Sequence, residues 1–320
     1  MYNKLLEKIE AYDKIIIHGH KRPDGDCYGS QLGLKGIIKA SFPSKLVYVV
    51  GERCEYVSFL GEMDEITDDM YENALVIVVD TAVSDRISDQ RYSKASYVIK
   101  VDHHLPVDDY GDMQLVDTTL PACALIIAEF MHKCDLNITL EGAKALYTGI
   151  VTDTGRFRLP GVNSRVFALA GLLLDKGVNV EEIDNNLSVE TLNTIKLKGY
   201  VLLNFQITEN GFAYIKMTRD VIEQFGVSDE EASSMVSLLG TLETCPSWGL
   251  IMEYPGNEIR IRLRSRGPYV DKLANKYNGG GHLKASGASL PSFDALDDFL
   301  KDADKLVKAY KENGTLEFSE

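Results

Sequence analysis

Histidine and aspartate recur in this chain at the ends of short apolar runs, and these are residue types that hold divalent cations. Ile15-Ile16-Ile17 leads into His18, His20, Asp24 and Asp26, and the run 75–79 ends on Asp80. The run 97–101 ends on Asp102-His103-His104, and Asp153 follows in Thr152-Asp153-Thr154-Gly155. Taken singly, each piece is ordinary: Asp24 and Asp26 are common turn formers, and a strand-end aspartate such as Asp80 often caps the next turn. Taken together they read as a two-metal hydrolase centre. Two divalent cations about 3.5–4 Å apart can clamp a phosphoester, polarise it and acidify a bridging water, and that chemistry needs a shared carboxylate. A carboxylate-rich set with imidazoles suits a borderline-hard ion better than a thiolate-preferring one, so two divalent metal ions are expected, with Mn2+ the best match.

Such ligands must be delivered by a scaffold. In open parallel sheets, ligands collect beyond the carboxyl ends of strands, and the candidate strands 14–19, 45–50, 75–80 and 96–101 end where the histidines and aspartates stand. Their nearly continuous apolar character suits strands buried on both faces. Candidate helices 2–12, 27–40, 121–134, 139–152 and 164–176 alternate with them, Thr139 serving as an N-cap for the fourth. Pro23 biases Arg22 toward an extended conformation, and Gly25 gives the turn freedom to aim Asp24 and Asp26 inward.

The expected class is α/β: a parallel sheet flanked by helices over residues 1–187, a linker helix over 188–204, and a smaller α/β domain over 205–320. In that last part 212–217, 247–254 and 258–265 read as strands and 293–310 as a closing helix, with a frayed tail after Lys311.

A second chemical signal lies there. Asn278-Gly279-Gly280-Gly281-His282 exposes backbone N–H groups that can build an anion-binding concavity. Upstream, Ile259, Ile261 and Leu263 alternate with Arg260, Arg262, Arg264 and Arg266, so a strand buries one face and presents guanidinium groups on the other. In a chain of net charge -14, that arginine face reads as a phosphate clamp. Arg262, Arg264, Ser265, Gly280, Gly281 and His282 are the expected substrate contacts, with Arg260, Arg266, Arg156 and Arg158 as further candidates.

The strong negative charge disfavours long duplex DNA as a partner but leaves small phosphorylated molecules open. No apolar run is long enough to span a bilayer, and the amino terminus lacks the features of a signal peptide, so the cytoplasm is expected and a membrane partner is not. The cysteines, five in number and without a Cys-x-x-Cys pair, indicate neither a disulfide framework nor a thiolate zinc site. A symmetric homodimer is favoured only by general frequency.

Through these motifs the chain resembles the DHH phosphoesterase superfamily. His20 through Asp26 matches its His-x-x-Pro-Asp-x-Asp motif, Val78-Val79-Asp80 and residues 149–155 match two others, and the glycine run matches the Gly-Gly-Gly-His motif of the domain that accompanies many DHH catalytic domains. The resemblance implies that His20 and Asp24 hold one metal, that Asp26, His103 and Asp153 hold the other, and that Asp80 bridges them. It implies that His104 faces the substrate phosphate or leaving group and that Asp102 orients its neighbours. His18 matches no ligand position and is expected to be structural or at the rim. Cleavage is expected in a cleft between the two domains. The branch most resembled degrades short oligoribonucleotides, of about two to five residues, to mononucleotides and dephosphorylates 3′-phosphoadenosine 5′-phosphate. Two rival readings are a stand-alone cyclic-dinucleotide phosphodiesterase and a catalytically silent nucleotide sensor.

Overall fold

The computed structural model describes residues 1–318. The chain divides into two compact units, Met1–Val189 and Glu190–Glu320. In the first, five short strands form one fully parallel sheet: β1 (Lys14–His18), β2 (Leu46–Val50), β3 (Leu75–Val79), β4 (Tyr97–Asp102) and β5 (Met113–Val116), in the order β2-β1-β3-β4-β5. Side chains alternate across a strand, so Ile15 and Ile17 join one core with Leu34, Phe130 and Leu146, while Ile16, Val76 and Val78 join another with Tyr71 and Tyr110. Covered on both sides, β3 is buried along its whole length. The helices of this unit are α1 (Tyr2–Ala11), α2 (Gly25–Ser41), α3 (Cys123–Lys133), α4 (Leu140–Asp153), α5 (Ser164–Leu174) and α6 (Val180–Ser188).

Thr139 caps α4 as expected, its side chain accepting from the Gly142 N–H. The loop after β1 differs from expectation. α2 begins two residues early, at Gly25, because the Asp24 carboxylate accepts from the N–H groups of Asp26 and Cys27. Gly25 therefore serves close approach rather than turn freedom: a β-carbon there would overlap the Thr152 side chain. Arg22 is not extended but stands at φ +55, its N–H donating to Glu52 Oε2 at 2.7 Å.

The contact between α2 and α4 determines where the site forms. The helices run antiparallel with almost no side chain between them. A β-carbon on Gly29 would overlap the Ala145 carbonyl oxygen, and one on Gly36 would lie 2.6 Å from the Gly142 Cα. This approach sets the first turn of α2, with Asp26, beside the last turn of α4, which ends on Asp153.

The second unit contains α7 (Leu192–Asn204), β6 (Gln206–Ile207), β7 (Phe212–Met217), α8 (Arg219–Phe225), α9 (Asp229–Ser234), β8 (Ser247–Tyr254), β9 (Glu258–Ser265), α10 (Asp271–Lys276), β10 (Gly280–His282), β11 (Ala285–Leu290) and α11 (Leu296–Asn313). α7 buries Leu197 and Val201 in one core with Ile222, Met235 and Trp248, so it is built into this unit. The sheet order is β10-β11-β9-β8-β7-β6, antiparallel except for β7 with β8. One face buries Ile251, Ile259, Ile261 and Leu263 under Leu273 of α10 and Phe299 and Leu306 of α11. On the other face, Ala213, Ile215 and Leu250 are covered, while the half over β9 and β11 carries Arg260, Arg262 and Arg264 across from Ser289, Gly287 and Ala285. The tail is not frayed through residue 318: the Tyr269 N–H donates to the Leu316 carbonyl, and Phe318 is buried in the core with Phe299. Among the described residues, no helix is long and apolar enough to cross a membrane.

Gly29→Ala should force α2 and α4 apart and cost about 1–3 kcal/mol of unfolding free energy, the usual range for overpacking. Gly171→Ala, in α5 where nothing lies within 4 Å of a new β-carbon, should leave stability unchanged or raise it by about 0.5–1 kcal/mol. Urea unfolding of the two variants beside the parent measures the contrast.

Candidate active site

The end of β1 and the segment just after it supply two histidines that do different work. His18 is fully buried, with Nε2 3.2 Å from the Tyr71 hydroxyl, which donates to Asp89. Burial brings its pKa down to about 4, so it is a neutral structural residue and not part of the rim. His20 has Nδ1 3.0 Å from the Lys21 carbonyl. A carbonyl only accepts, so Nδ1 carries a proton and Nε2 is the nitrogen that faces the carboxylates. That Nε2 lies 3.6 Å from Asp80 Oδ2 and 3.8 Å from Asp24 Oδ2.

Asp80 leaves β3 with φ +52, a left-handed conformation that aspartate tolerates better than most residues. It is 2% exposed, yet Oδ1 has no hydrogen-bond partner. That oxygen lies 3.4 Å from His103 Nε2 and 3.7 Å from His104 Nδ1. Asp26 has a double task. Its oxygens accept from the N–H groups of Cys123 (2.5 Å) and Ala124 (2.9 Å), capping α3, whose own N-cap residue, Ala122, has no side chain able to do so. The same carboxylate approaches His103 Nε2 to 3.9 Å, and Asp153 Oδ2 approaches it to 3.5 Å.

Five of the six expected ligands, His20, Asp26, Asp80, His103 and Asp153, fall into linked clusters, while Asp24, half exposed, approaches only the His20 ring. Ligand atoms of Asp26, His103 and Asp153 lie within 4.8 Å of one another, as do those of Asp80, His103 and His104, and those of His20, Cys27 and Asp80. A buried carboxylate oxygen with no donor, ringed by imidazole nitrogens and further carboxylates, fits a divalent cation by both donor type and charge. Cys27 was not foreseen in this company. Its sulfur accepts the His20 N–H at 3.2 Å, and burial pushes its thiol pKa well up.

The charges are strongly interdependent. Burial, reinforced by Asp80 and Asp153, raises Asp26 well above the usual carboxylate range. Burial likewise lifts Asp153 to about 6, against the pull of His103. Burial opposes charge on His103, but Asp80, Asp26 and Asp153 outweigh it and hold the ring up at about 9. For Asp80, burial is outweighed by His103 and His20, and the carboxylate stays low.

Asp102 organises the histidine pair. Oδ1 accepts from the N–H groups of His103 (2.9 Å) and His104 (3.3 Å) and from His104 Nδ1 at 2.8 Å. The last contact raises the His104 pKa against its burial and fixes the ring so that Nε2 is the free nitrogen. His104 is half exposed, whereas Asp102 is fully buried.

In the second unit a cavity of about 330 Å³ opens on the bare half of the sheet, lined among others by Arg262, Arg264, Gly279, Gly287 and Tyr254. Arg262 makes no ion pair among the described residues, and Arg264, whose pKa is lowered by burial and by Arg262, donates only to the Leu263 carbonyl. The other candidate arginines are committed. Arg260 is held by Glu258, Arg266 by the Leu242 and Cys245 carbonyls, Arg156 by Asp184 and Ser188, and Arg158 by the Gly155 carbonyl. Ser265 is not brought to this face. Strand alternation turns it to the buried side with Leu263, where its hydroxyl donates to the Pro246 carbonyl and accepts from the Gly267 N–H. The glycine run is an edge strand rather than an open loop: Gly280, Gly281 and His282 pair with β11, His282 is exposed, and Gly279 is the glycine that lines the cavity.

Residues 14–150 match the N-terminal domain of the DHH family, and residues 210–309 match the DHHA1 domain. The chain is 40% identical to the bifunctional oligoribonuclease and PAP phosphatase NrnA of Bacillus subtilis, over 97% of this chain and all of that one. It is 39% identical to the probable bifunctional oligoribonuclease and PAP phosphatase NrnA of Streptococcus mutans, over 96% and 99% of the two chains. The crystal structure of an exopolyphosphatase-related protein from Bacteroides fragilis superposes with a TM-score of 0.83 at 25% identity, covering 97% of this chain and 96% of that one. The chain thus belongs to the DHH family, a DHH N-terminal domain followed by a DHHA1 domain.

Proposed function

We propose that the chain is a metal-dependent hydrolase of phosphoester bonds that cleaves short oligoribonucleotides to mononucleotides and converts 3′-phosphoadenosine 5′-phosphate to AMP. The observation that carries the reading is the convergence of His20 and Asp24 on one side of Asp80 and of Asp26, His103 and Asp153 on the other. The names of the bacterial relatives point to the same two substrates. In this reading His20 and Asp24 would hold one divalent ion, Asp26, His103 and Asp153 would hold a second, and Asp80 would be shared, with Mn2+ the ion that the oxygen and imidazole donors would favour. Such ions supply Lewis-acid polarisation of the phosphoryl group and a water acidified enough to attack it.

The chain's own groups do the rest. His104, which Asp102 orients and favours in the protonated form, would turn its Nε2–H toward the leaving oxygen and give up that proton as the P–O bond breaks, ending as the neutral ring that keeps its Nδ1 proton on Asp102. Arg262 and Arg264, which make no ion pair among the described residues, would hold a substrate phosphate in the cavity that Gly279 also lines, next to the edge strand of Gly280, Gly281 and His282. The small cavity suits a nucleotide-sized anion rather than a long polymer.

A product time-course with Mn2+ on end-labelled di-, tri- and tetranucleotides, beside 3′-phosphoadenosine 5′-phosphate and cyclic di-AMP, tests the reading. Mononucleotides and AMP are expected, and Asp80→Ala should abolish both activities while the protein keeps its circular dichroism spectrum. Faster cleavage of the cyclic compound would replace this reading with the cyclic-dinucleotide one; tight binding without turnover would favour the sensor. Arg262→Ala should raise KM by about 10- to 100-fold with little change in kcat, as expected for one lost charge-assisted contact. A cation must displace protons from groups whose pKa values are raised to about 9 at His103 and about 6 at Asp153. Mn2+ affinity should accordingly climb with pH across that interval, and calorimetry in buffers of different ionisation enthalpy should register proton release.

A further inference from the structure

Lys100 is the least expected side chain of the first unit. It sits within β4, in register with Val78 of β3, which is itself in register with His18 of β1. Only 1% of it is exposed. A buried ammonium must be surrounded by acceptors or opposite charge, and its surroundings supply both. Nζ donates to the Ala82 carbonyl at 2.7 Å and the Asp108 carbonyl at 3.3 Å, lies 3.7 Å from Asp102 Oδ2, and stands 4.7 Å from the centre of the Tyr110 ring.

These partners belong to the two loops that carry the site. Ala82 follows Asp80 by two residues, and Asp108 follows His104 by four. Asp102 Oδ2 is buried without a hydrogen-bond donor, so the ammonium is the positive charge that faces it, while the other oxygen of the same carboxylate holds the His104 ring. At the far end of the segment that begins with Asp80, His18 of the same cross-sheet row meets Tyr71, which holds Asp89. The segment is thus fastened from beneath at its start by Lys100 and at its end through His18.

We infer that Lys100 is a positioning residue of the hydrolytic centre: it ties the turn after Asp80 to the loop after Asp102-His103-His104, and through Asp102 it holds His104 in place against Asp80. The inference rests on the hydrolase reading for its kinetic consequence, but its structural consequence can be read without turnover.

Lys100→Met removes the ammonium with little change of length, and Lys100→Gln removes the charge but keeps an N–H donor. Both are measured as full-length protein with saturating Mn2+ on a dinucleotide. Lys100→Met should lower kcat by about 10- to 100-fold, the usual effect of removing a group that orients reactive residues, and leave KM unchanged. Lys100→Gln should retain more of kcat than Lys100→Met. Independently of activity, the imidazole ¹H–¹⁵N spectrum of the parent should show a hydrogen-bonded Nδ1 proton that His104→Asn removes, and this signal should broaden or shift in both lysine variants. Parental kcat and an unmoved signal in a folded variant would overturn the inference, as would a loss in which KM rises in step with the fall in kcat. Should Lys100→Met fail to fold, Lys100→Gln is read by the same criteria. A parent that turns over neither substrate removes the hydrolase reading instead, and the imidazole signal then decides the role of Lys100 alone.

Discussion

Two helices crossing with glycine at their contact bring carboxylates from distant parts of the chain to one place. Asp26 opens α2 and Asp153 closes α4, and an antiparallel crossing of these helices juxtaposes the two ends only if the axes come close. Any larger residue at Gly29 would separate them. The crossing is stabilised from a third direction, because Asp26 also accepts the first N–H groups of α3. One carboxylate thereby joins α2 to α3 beside the crossing, and its position is set by backbone geometry.

The same crowding creates an electrostatic debt. Asp24, Asp26, Asp80 and Asp153 gather around His20 and His103 with three of the four groups largely out of water, and burial lifts Asp26 and Asp153 out of the ordinary carboxylate range. In a low-dielectric site such a set holds protons or takes up cations. The second unit has the opposite imbalance on the bare half of its sheet, where Arg262 and Arg264 lie side by side and, among the described residues, make no ion pair. Acidic residues outnumber basic ones by 48 to 34 in this chain, so two guanidinium groups without an ion pair stand out.

Much of the first site was legible because each ligand stands at a strand or helix end, where hydrophobic periodicity breaks and polar residues become conspicuous. His20, Asp80 and the Asp102-His103-His104 triplet are all of this kind. What the sequence did not reveal depends on contacts far away along the chain. Asp26 capping α3 is a contact across about a hundred residues, and nothing local announces it. Lys100 interrupts an apolar run, and only the fold supplies the carbonyls that permit its burial. In the second unit, alternation correctly separated the isoleucines from the arginines of β9, but it also places Ser265 with the buried set, a consequence of the period of two that the motif reading overlooked. The commitments of Arg260, Arg266 and Arg156 to nearby acceptors were equally hidden, because charge alone does not tell which guanidinium already has a partner.

The division of labour along β9 has an evolutionary consequence. Its inward residues maintain the core, and its outward residues face a nearly uncovered surface. Substitutions at the alternate, outward positions can therefore change the charge of this surface while the intervening isoleucines and leucine preserve the sheet, so under the proposed function selectivity can drift along this strand without passing through unfolded intermediates.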